Sequence, residues 1–518
     1  MLSNKFEARE YQKRIAEAAS SENTLVVLPT GLGKTLIAVM VASERMQRYP
    51  QAKVMVLAPT RPLVLQHYNT FRESVDLPGG SFVVLTGTVD PAERETLWLR
   101  SRVIFATPQT VYNDVRHGRI SLKDVALAVF DEAHRSVKDY TYTKLADAYK
   151  AEAAHPLILG LTASPGGSKE KVNEIKRNLY IERVEARSED SPDVEPYVEQ
   201  TAIETVRVKV PEEYYELVLR IRELFNEKVK RLLTGGFLRN NRVTKRALLE
   251  ARATISARLR SAQASGGQRG YIFGAISNQA QAIVILHAIE LIETQGSKTL
   301  AAYLQRVRER PEKGKAVTAL LKDPKWVEIE AEANKVLGVE HSKLTMLVSI
   351  VAGQVSKKPD SKVIVFTQYR DTVEEIVERL EGSGTTANRF VGQADRTGNE
   401  GMDQEEQKRA LHSFGEGKFK VLVSSSIGEE GLHVPDVDLV VFYEAVPSEI
   451  RSIQRRGRTG RTAEGRVVIL LAEGTIDESY YYSTVSKENR MKELVKQTQD
   501  KPARKKGTKS PTLMDFVD

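Results

Sequence analysis

Short apolar runs recur along the first part of the chain, at residues 25–28, 54–58, 82–85, 103–106, 125–130 and 157–161. Between them, apolar residues fall at helical spacing. Runs this short, without alternation, read as strands buried on both faces. Strands alternating with amphipathic helices predict a parallel sheet covered on both sides, over residues 1–182. The pattern then changes. An acidic, proline-containing connector at 188–196 leads to a β-like run at 202–210 and then to long helical stretches, broken at Gly235-Gly236 and Gly266-Gly267. A mostly helical domain is therefore expected over residues 183–335. From 336 to 482 the alternation returns, with strands at 363–366, 421–424, 439–442 and 467–471. The segment 483–518 reads as a helix at 485–497 followed by a basic, disordered tail. The fold class is α/β, with two parallel-sheet domains and a helical domain inserted between them.

Composition narrows the function. Of 518 residues, 41% are hydrophobic and 28% charged, the balance of a globular protein in water. No apolar run reaches the ~18 residues that cross a bilayer. The N-terminus has no signal-peptide core, so an intracellular, cytoplasmic protein associated with the nucleoid is expected, with no membrane partner. The absence of cysteine excludes disulfides, thiolate zinc sites, iron–sulfur clusters and cysteine nucleophiles.

The net charge is +8, and its placement says more than its sum. Between Lys228 and Arg269 stand eleven basic residues and a single acid, Glu250, a net +10. Ordinary solvated faces mix signs, so this stretch points to a polyanion, with Arg239, Arg242, Lys245 and Arg246 at its centre.

The chemistry begins after the first strand, with Pro29-Thr30-Gly31-Leu32-Gly33-Lys34-Thr35. Strand, glycine loop and helix make the setting of a phosphate-binding loop. Gly31 and Gly33 let successive N–H groups converge on phosphate oxygens at a helix N-terminus. Lys34 adds a full positive charge, and Thr35 offers a hydroxyl to magnesium. Leu28 stands where the general pattern has glycine. Upstream, the Gln12 amide could read an adenine edge and Arg9 could stack on its face. After the second and fourth strands come Pro59-Thr60-Arg61-Pro62 and Thr107-Pro108-Gln109-Thr110, suited to backbone phosphates at helix N-termini. After the fifth comes Asp131-Glu132-Ala133-His134; an acid here can hold the magnesium shell, and its neighbour can polarise the attacking water. The second α/β domain has arginines and no phosphate loop, so it is placed to complete a shared site.

The ordered set PTGLGKT, APTRP, TPQT, DEAH, TAS, FTQYR, SSSIGEEGLHVP and QRRGRTGR resembles the superfamily 2 helicases, and covers both α/β domains. The helical insert is similar to that of the branch holding Dicer, the RIG-I-like receptors and the Fanconi anaemia M translocases, and within it the chain resembles above all the archaeal Hef family. The resemblance implies two RecA-like domains, ATP and Mg2+ as cofactors, and forked or branched DNA as partner. It implies adenine contacts from Arg9 and Gln12, and triphosphate contacts from Thr30, Gly31, Leu32, Gly33, Lys34 and Thr35. Thr35 and Asp131 would serve magnesium, and Glu132 would be the general base. Gln454, Arg458 and Arg461 would complete the site, the two arginines as fingers. Thr60, Arg61, Thr107, Gln109, Thr367, Gln393 and Ser425 would lie along the nucleic-acid backbone, and Thr162 and Ser164 would couple the site to the domain interface. His433 stands where the family has Asp. No nuclease signature of the Hef kind is present, so the chain reads as the helicase portion. The tail ends in Ser510-Pro511-Thr512-Leu513-Met514-Asp515-Phe516-Val517, similar to peptides that dock on a sliding clamp, with Ser510 in place of Gln. A double-stranded RNA helicase or sensor of the same branch is the alternative. A non-enzymatic clamp would lack one of Lys34, Asp131, Glu132, Arg458 and Arg461, and all are present.

Overall fold

The computed structural model describes residues 2–3, 7–29, 31–166, 168–197, 202–240, 243–264, 270–310, 314–392, 401–425, 437–445 and 466–498. Thr30, Arg242, Gln393, Gln454, Arg458, Arg461 and the tail from 499 on lie outside them.

The first domain runs α1 (Glu10–Ala19), β1 (Thr24–Val27), α2 (Lys34–Arg48), β2 (Lys53–Leu57), α3 (Arg61–Ser74), β3 (Phe82–Leu85), α4 (Pro91–Arg100), β4 (Val103–Ala106), α5 (Pro108–Arg116), β5 (Val125–Asp131), α6 (Thr141–Glu152), β6 (Ile158–Thr162), α7 (Lys169–Asn178) and β7 (Arg183–Ala186). Its strands form a parallel sheet in the order β3-β4-β2-β5-β6-β1-β7. Every residue of β5 is buried, as its unbroken apolar run requires. Because all strands run one way, the turns after β1, β2, β4, β5 and β6 share one edge, where ligands of such sheets bind.

The sheet reaches past residue 182: β7 pairs in parallel with β1 and closes that edge. The next strand, β8 (Ala202–Val208), pairs with the last strand of the other sheet. The β-like run expected to open the helical domain is thus an edge strand of the second α/β domain.

The helical domain comprises α8 (Tyr215–Thr234), α9 (Lys245–Ala264), α10 (Gly270–Thr294), α11 (Ser297–Glu309), α12 (Lys315–Leu321) and α13 (Pro324–Lys335). Its core gathers Leu217, Ile221, Leu224, Ile285, Ile292 and the fully buried Trp326. Among the described residues, α10 alone is long and apolar enough to cross a membrane, but half of that stretch is buried inside the protein. Gln279, Gln281 and Glu290 interrupt it, and it is the core helix of this domain.

The second α/β domain contains α14 (Ser342–Lys357), β9 (Val363–Thr367), α15 (Arg370–Gly382), β10 (Ala387–Phe390), α16 (Gln404–Gly415), β11 (Val421–Ser425), β12 (Leu439–Phe442), β13 (Arg466–Ala472) and α17 (Ile476–Thr498). Its parallel sheet has the order β10-β11-β9-β12-β13-β8.

Buried polar contacts join the helical domain to this second sheet. Gln295, 1% exposed, accepts from Thr372 Oγ1 at 2.8 Å and lies 3.5 Å from Glu444 Oε2. Arg306 on α11 pairs with Asp371 on α15 through two bonds of 3.0 and 2.6 Å. Tyr480 on α17 donates to Glu290 on α10 at 2.7 Å. Behind them Lys343 and Asp477 form an ion pair with both side chains buried. Burial pushes the Glu444 carboxyl up to about 7, although Lys343 draws it the other way. A network of this kind is costly to break, because each lost partner leaves a buried polar group behind. The helical domain is therefore fastened to the second α/β domain.

Candidate ATP and nucleic-acid site

The phosphate loop grows directly out of the buried strand β1. Leu28 N–H donates to Thr162 O at 3.1 Å, pinning the loop's start to the end of β6. Gly31 and Gly33 then take φ of 89° and 74°, backbone that other residues rarely adopt. A Cβ on Gly33 would stand 2.3 Å from Gln12 Nε2, so a larger residue here would displace that side chain as well as strain the turn. Lys34 opens α2 and donates from Nζ to the carbonyls of Leu28 and Pro29 at 3.0 and 3.3 Å. Its ammonium therefore lies across the loop, where phosphate oxygens would replace those carbonyls.

Gln12, expected at an adenine edge, is turned to the phosphate loop in this conformation. It is 2% exposed. Its Nε2 donates to Leu32 O at 3.1 Å, and its Oε1 accepts from Arg9 N–H at 2.9 Å. Tyr11 OH donates to the same Leu32 carbonyl at 2.8 Å. In this conformation both side chains brace the phosphate loop from below. Arg9 packs its guanidinium over Tyr197, 4.9 Å from the ring centroid. Tyr11 and Tyr197 carry no motif signal in the sequence, and only the fold brings them here.

Asp131 ends β5 and is 6% exposed. Its carboxylate Oδ2 lies 2.7 Å from His67 Nε2. Its backbone carbonyl accepts from Tyr142 OH at 2.7 Å. Burial pushes the carboxyl up, but His67 beside it and the nearby Lys34 outweigh this and hold it below the usual range. Glu132 follows with φ 50° and ψ 47°, left-handed backbone that costs a non-glycine residue of order 1–3 kcal/mol. That turn brings its carboxylate within 3.1 Å of His134 Nδ1. The same nitrogen lies 3.2 Å from Thr162 Oγ1, which donates to Ser164 O at 2.9 Å. Glu132, His134, Thr162 and Ser164 thus form one polar chain from the end of β5 to the end of β6. Among the described residues no group of three His, Asp or Glu side chains could hold a metal alone. A magnesium carried by nucleotide phosphates needs only one or two protein oxygens, and Thr35 and Asp131 fit that chemistry.

The expected strand contacts divide. Thr60 and Thr107 follow the neighbouring strands β2 and β4 and precede α3 and α5. Arg61 and Gln109 beside them are exposed. Thr60 Oγ1 and Ser425 Oγ have no hydrogen-bond partner among the described residues. Thr367 is different: it is fully buried and points to Gln295 Oε1 at 3.5 Å, inside the network that fastens the helical domain. In this conformation its hydroxyl is turned into the protein, and the hydroxyls of Thr60 and Ser425 are buried as well. A cavity of about 580 Å³ between α3 and α16 is lined by Arg61, Gln66 and Asn69 from the first domain and by Gln404, Gln407 and Lys408 from the second. The residues from α16 were not singled out by any motif.

In the helical domain the basic stretch also divides. Lys228 is 4% exposed and paired to Asp323 at 2.8 Å. Arg258 donates to the carbonyls of Gly235 and Gly236 at 3.0 and 3.1 Å, closing the end of α8. Arg239, Lys245, Arg246, Arg252 and Arg260 are exposed.

The sequence matches the family described as DEAD/DEAH box helicase over residues 9–172, and the helicase conserved C-terminal domain over 342–463. A helical bundle of ATP-dependent RNA helicases matches residues 213–335. The crystal structure of the Pyrococcus furiosus Hef helicase domain is 47% identical, covers 92% of this chain and 98% of its own, and superposes with a TM-score of 0.69. A Methanocaldococcus jannaschii protein named as an ATP-dependent RNA helicase is 39% identical and covers 95% of this chain and 61% of its own length. The mouse Fanconi anemia group M protein homolog is 32% identical and covers 93% of this chain but 25% of its own length. The chain thus spans less than two thirds of those two curated relatives. With both helicase domains and the helical bundle in the order of the Hef helicase domain, the chain belongs to the DEAD/DEAH box helicases, in the group of Hef and the Fanconi anemia group M proteins.

Proposed function

We propose that this chain is an ATP-driven translocase that remodels branched DNA, such as forks and junctions. The observation that carries the reading is the fastening of an exposed basic helical domain to the second α/β domain. A motor closing its two α/β domains around ATP would move such an arm relative to strands held on the first domain.

In this reading Gly31, Gly33 and Lys34 hold the triphosphate, and Lys34 gives up its loop carbonyls for phosphate oxygens. Thr35 and Asp131 would hold magnesium, which would supply charge neutralisation at the phosphates. Glu132 accepts a proton from the attacking water, and its contact with His134 ties it to Thr162 and Ser164. Gln454, Arg458 and Arg461 complete the site from the second domain. Thr60, Arg61, Thr107, Gln109, Gln393 and Ser425 hold the backbone of the tracked strand. Contacts to the backbone carry little base information, so DNA is favoured by the group to which the chain belongs. Turnover should rise with single-stranded and, more strongly, with forked or four-way DNA. Stimulation by double-stranded RNA alone would replace this reading with an RNA helicase, as the name of the M. jannaschii relative suggests.

The basic arm gives a separate expectation. Replacing Arg239, Arg242, Lys245 and Arg246 with Ala should weaken DNA binding across sequences and leave DNA-free ATPase intact. Each lost phosphate contact should flatten the log–log salt slope by about 0.7–0.9. The loss should be larger on forks than on single strands. An unchanged affinity and slope would make the patch an ordinary solvated face.

The tail is the remaining partner segment. Leu513 and Phe516 are three apart, so one helical turn would put both on one face. A peptide of residues 498–518 should bind the sliding clamp from the same source, and Leu513→Ala with Phe516→Ala should abolish it. No heat or shift at clamp concentrations of about 100 μM, enough to register an affinity near −5.5 kcal/mol, would end this proposal.

A further inference from the structure

His67 belongs to no motif, yet it is in direct contact with Asp131. It sits on α3, less than two turns beyond Arg61, and is 3% exposed. Its Nε2 lies 2.7 Å from Asp131 Oδ2, and its equally buried Nδ1 has no hydrogen-bond partner among the described residues. An apolar side chain would fill this position without leaving a buried nitrogen unpaired. The ring is therefore not explained by packing or by a wider network. What it does at this position is donate one hydrogen bond to one carboxylate oxygen.

That bond has two consequences. Asp131 is held at both ends: Tyr142 OH donates to its backbone carbonyl at 2.7 Å, and His67 holds its carboxylate through Oδ2. The second consequence comes from where α3 begins. Thr60 precedes the helix and Arg61 opens it, and both stand among the expected strand contacts. A displacement of α3 would reach Asp131 through this one ring.

We propose that His67 is a positioning residue that fixes the Asp131 carboxylate for the magnesium shell and links it, through α3, to the nucleic acid held at Thr60 and Arg61. The inference rests on the assignment of Asp131 to magnesium made above. It gives the bound strand a route to the ATP site inside the first domain, besides domain closure. Groups in contact with a metal ligand typically change affinity or activity 10–100-fold when removed.

The test is a magnesium titration of the binding of a fluorescent, non-hydrolysable ATP analogue to the whole chain, with and without forked DNA. The wild-type chain should bind the analogue in a magnesium-dependent way, with forked DNA lowering the half-saturating concentration. If it shows no magnesium dependence, the ATP-site reading itself fails, whatever the variants do. His67→Ala should raise the half-saturating magnesium concentration about 10–100-fold and abolish the effect of DNA on it. His67→Gln, which keeps an N–H donor of similar reach, should return both to within a few-fold of wild type. If His67→Ala lowers the melting temperature too far to be measured, His67→Leu fills the space without a donor and should behave as described for Ala. A wild-type half-point and DNA effect in the donor-free variant would overturn the proposal. So would a Gln variant as impaired as Ala, since then only the shape of the ring would matter.

Discussion

Glu132→Gln should bind ATP and DNA as the unaltered chain does and turn over roughly 10²–10⁴-fold more slowly. The substitution keeps the side chain's size and its contact with His134, but removes the group that takes a proton from water. The backbone supports this residue as the base. Its φ of 50° is held in left-handed space at the end of a fully buried strand, and that backbone turn sets where the carboxylate stands. Lys34→Ala should differ in kind, because it removes charge from the phosphates and weakens nucleotide binding too. Steady-state turnover with equilibrium binding of nucleotide separates the two. Near-normal turnover in Glu132→Gln would reject the assignment.

Arg458→Ala and Arg461→Ala should each reduce turnover by up to ~10³-fold while changing ATP affinity far less. The reason lies in the division of labour between the two sheets. The phosphate loop, Asp131 and Glu132 all stand on the carboxyl edge of the first sheet, and the second domain has no phosphate loop. An arginine finger from a second domain meets the phosphates mainly as charge develops in the transition state, so its loss appears in rate more than in binding. Turnover within a few-fold of the unaltered chain in both variants would mean that the first domain hydrolyses ATP alone. The fastening of the helical domain adds a corollary: closure of the second domain would carry α9 and α10 with it.

The sequence was most legible where strands are central. The runs at 103–106 and 439–442 match β4 and β12 residue for residue, because a strand buried on both faces must be apolar throughout; the edge strand β3 is as legible at 82–85, because its four residues are apolar too. Two other edge strands hid. β7 reads Arg-Val-Glu-Ala and β10 reads Ala-Asn-Arg-Phe, and neither offers a run long enough to stand out. Their strand character comes from pairing with β1 and β11, which is tertiary. β8 was visible as a strand, but its sheet was not, since its partner β13 lies more than 250 residues further along. The site followed the same logic. The phosphate loop and the Asp131-Glu132 pair are contiguous and carry their own context. Tyr11, His67 and Tyr142 reach the site from other elements, with no spacing to mark them. Thr367 sits in a recognisable motif, but its neighbour Gln295 comes from the helical domain, and that contact turned it inward.

One experiment tests the central claim most directly. A synthetic fork with labelled arms is incubated with the chain and ATP, and release or exchange of the labelled strand is followed over time. The account predicts ATP-dependent remodelling of the fork that Glu132→Gln abolishes while fork binding persists. Equal remodelling by Glu132→Gln, or unwinding of double-stranded RNA with the fork left intact, would contradict it.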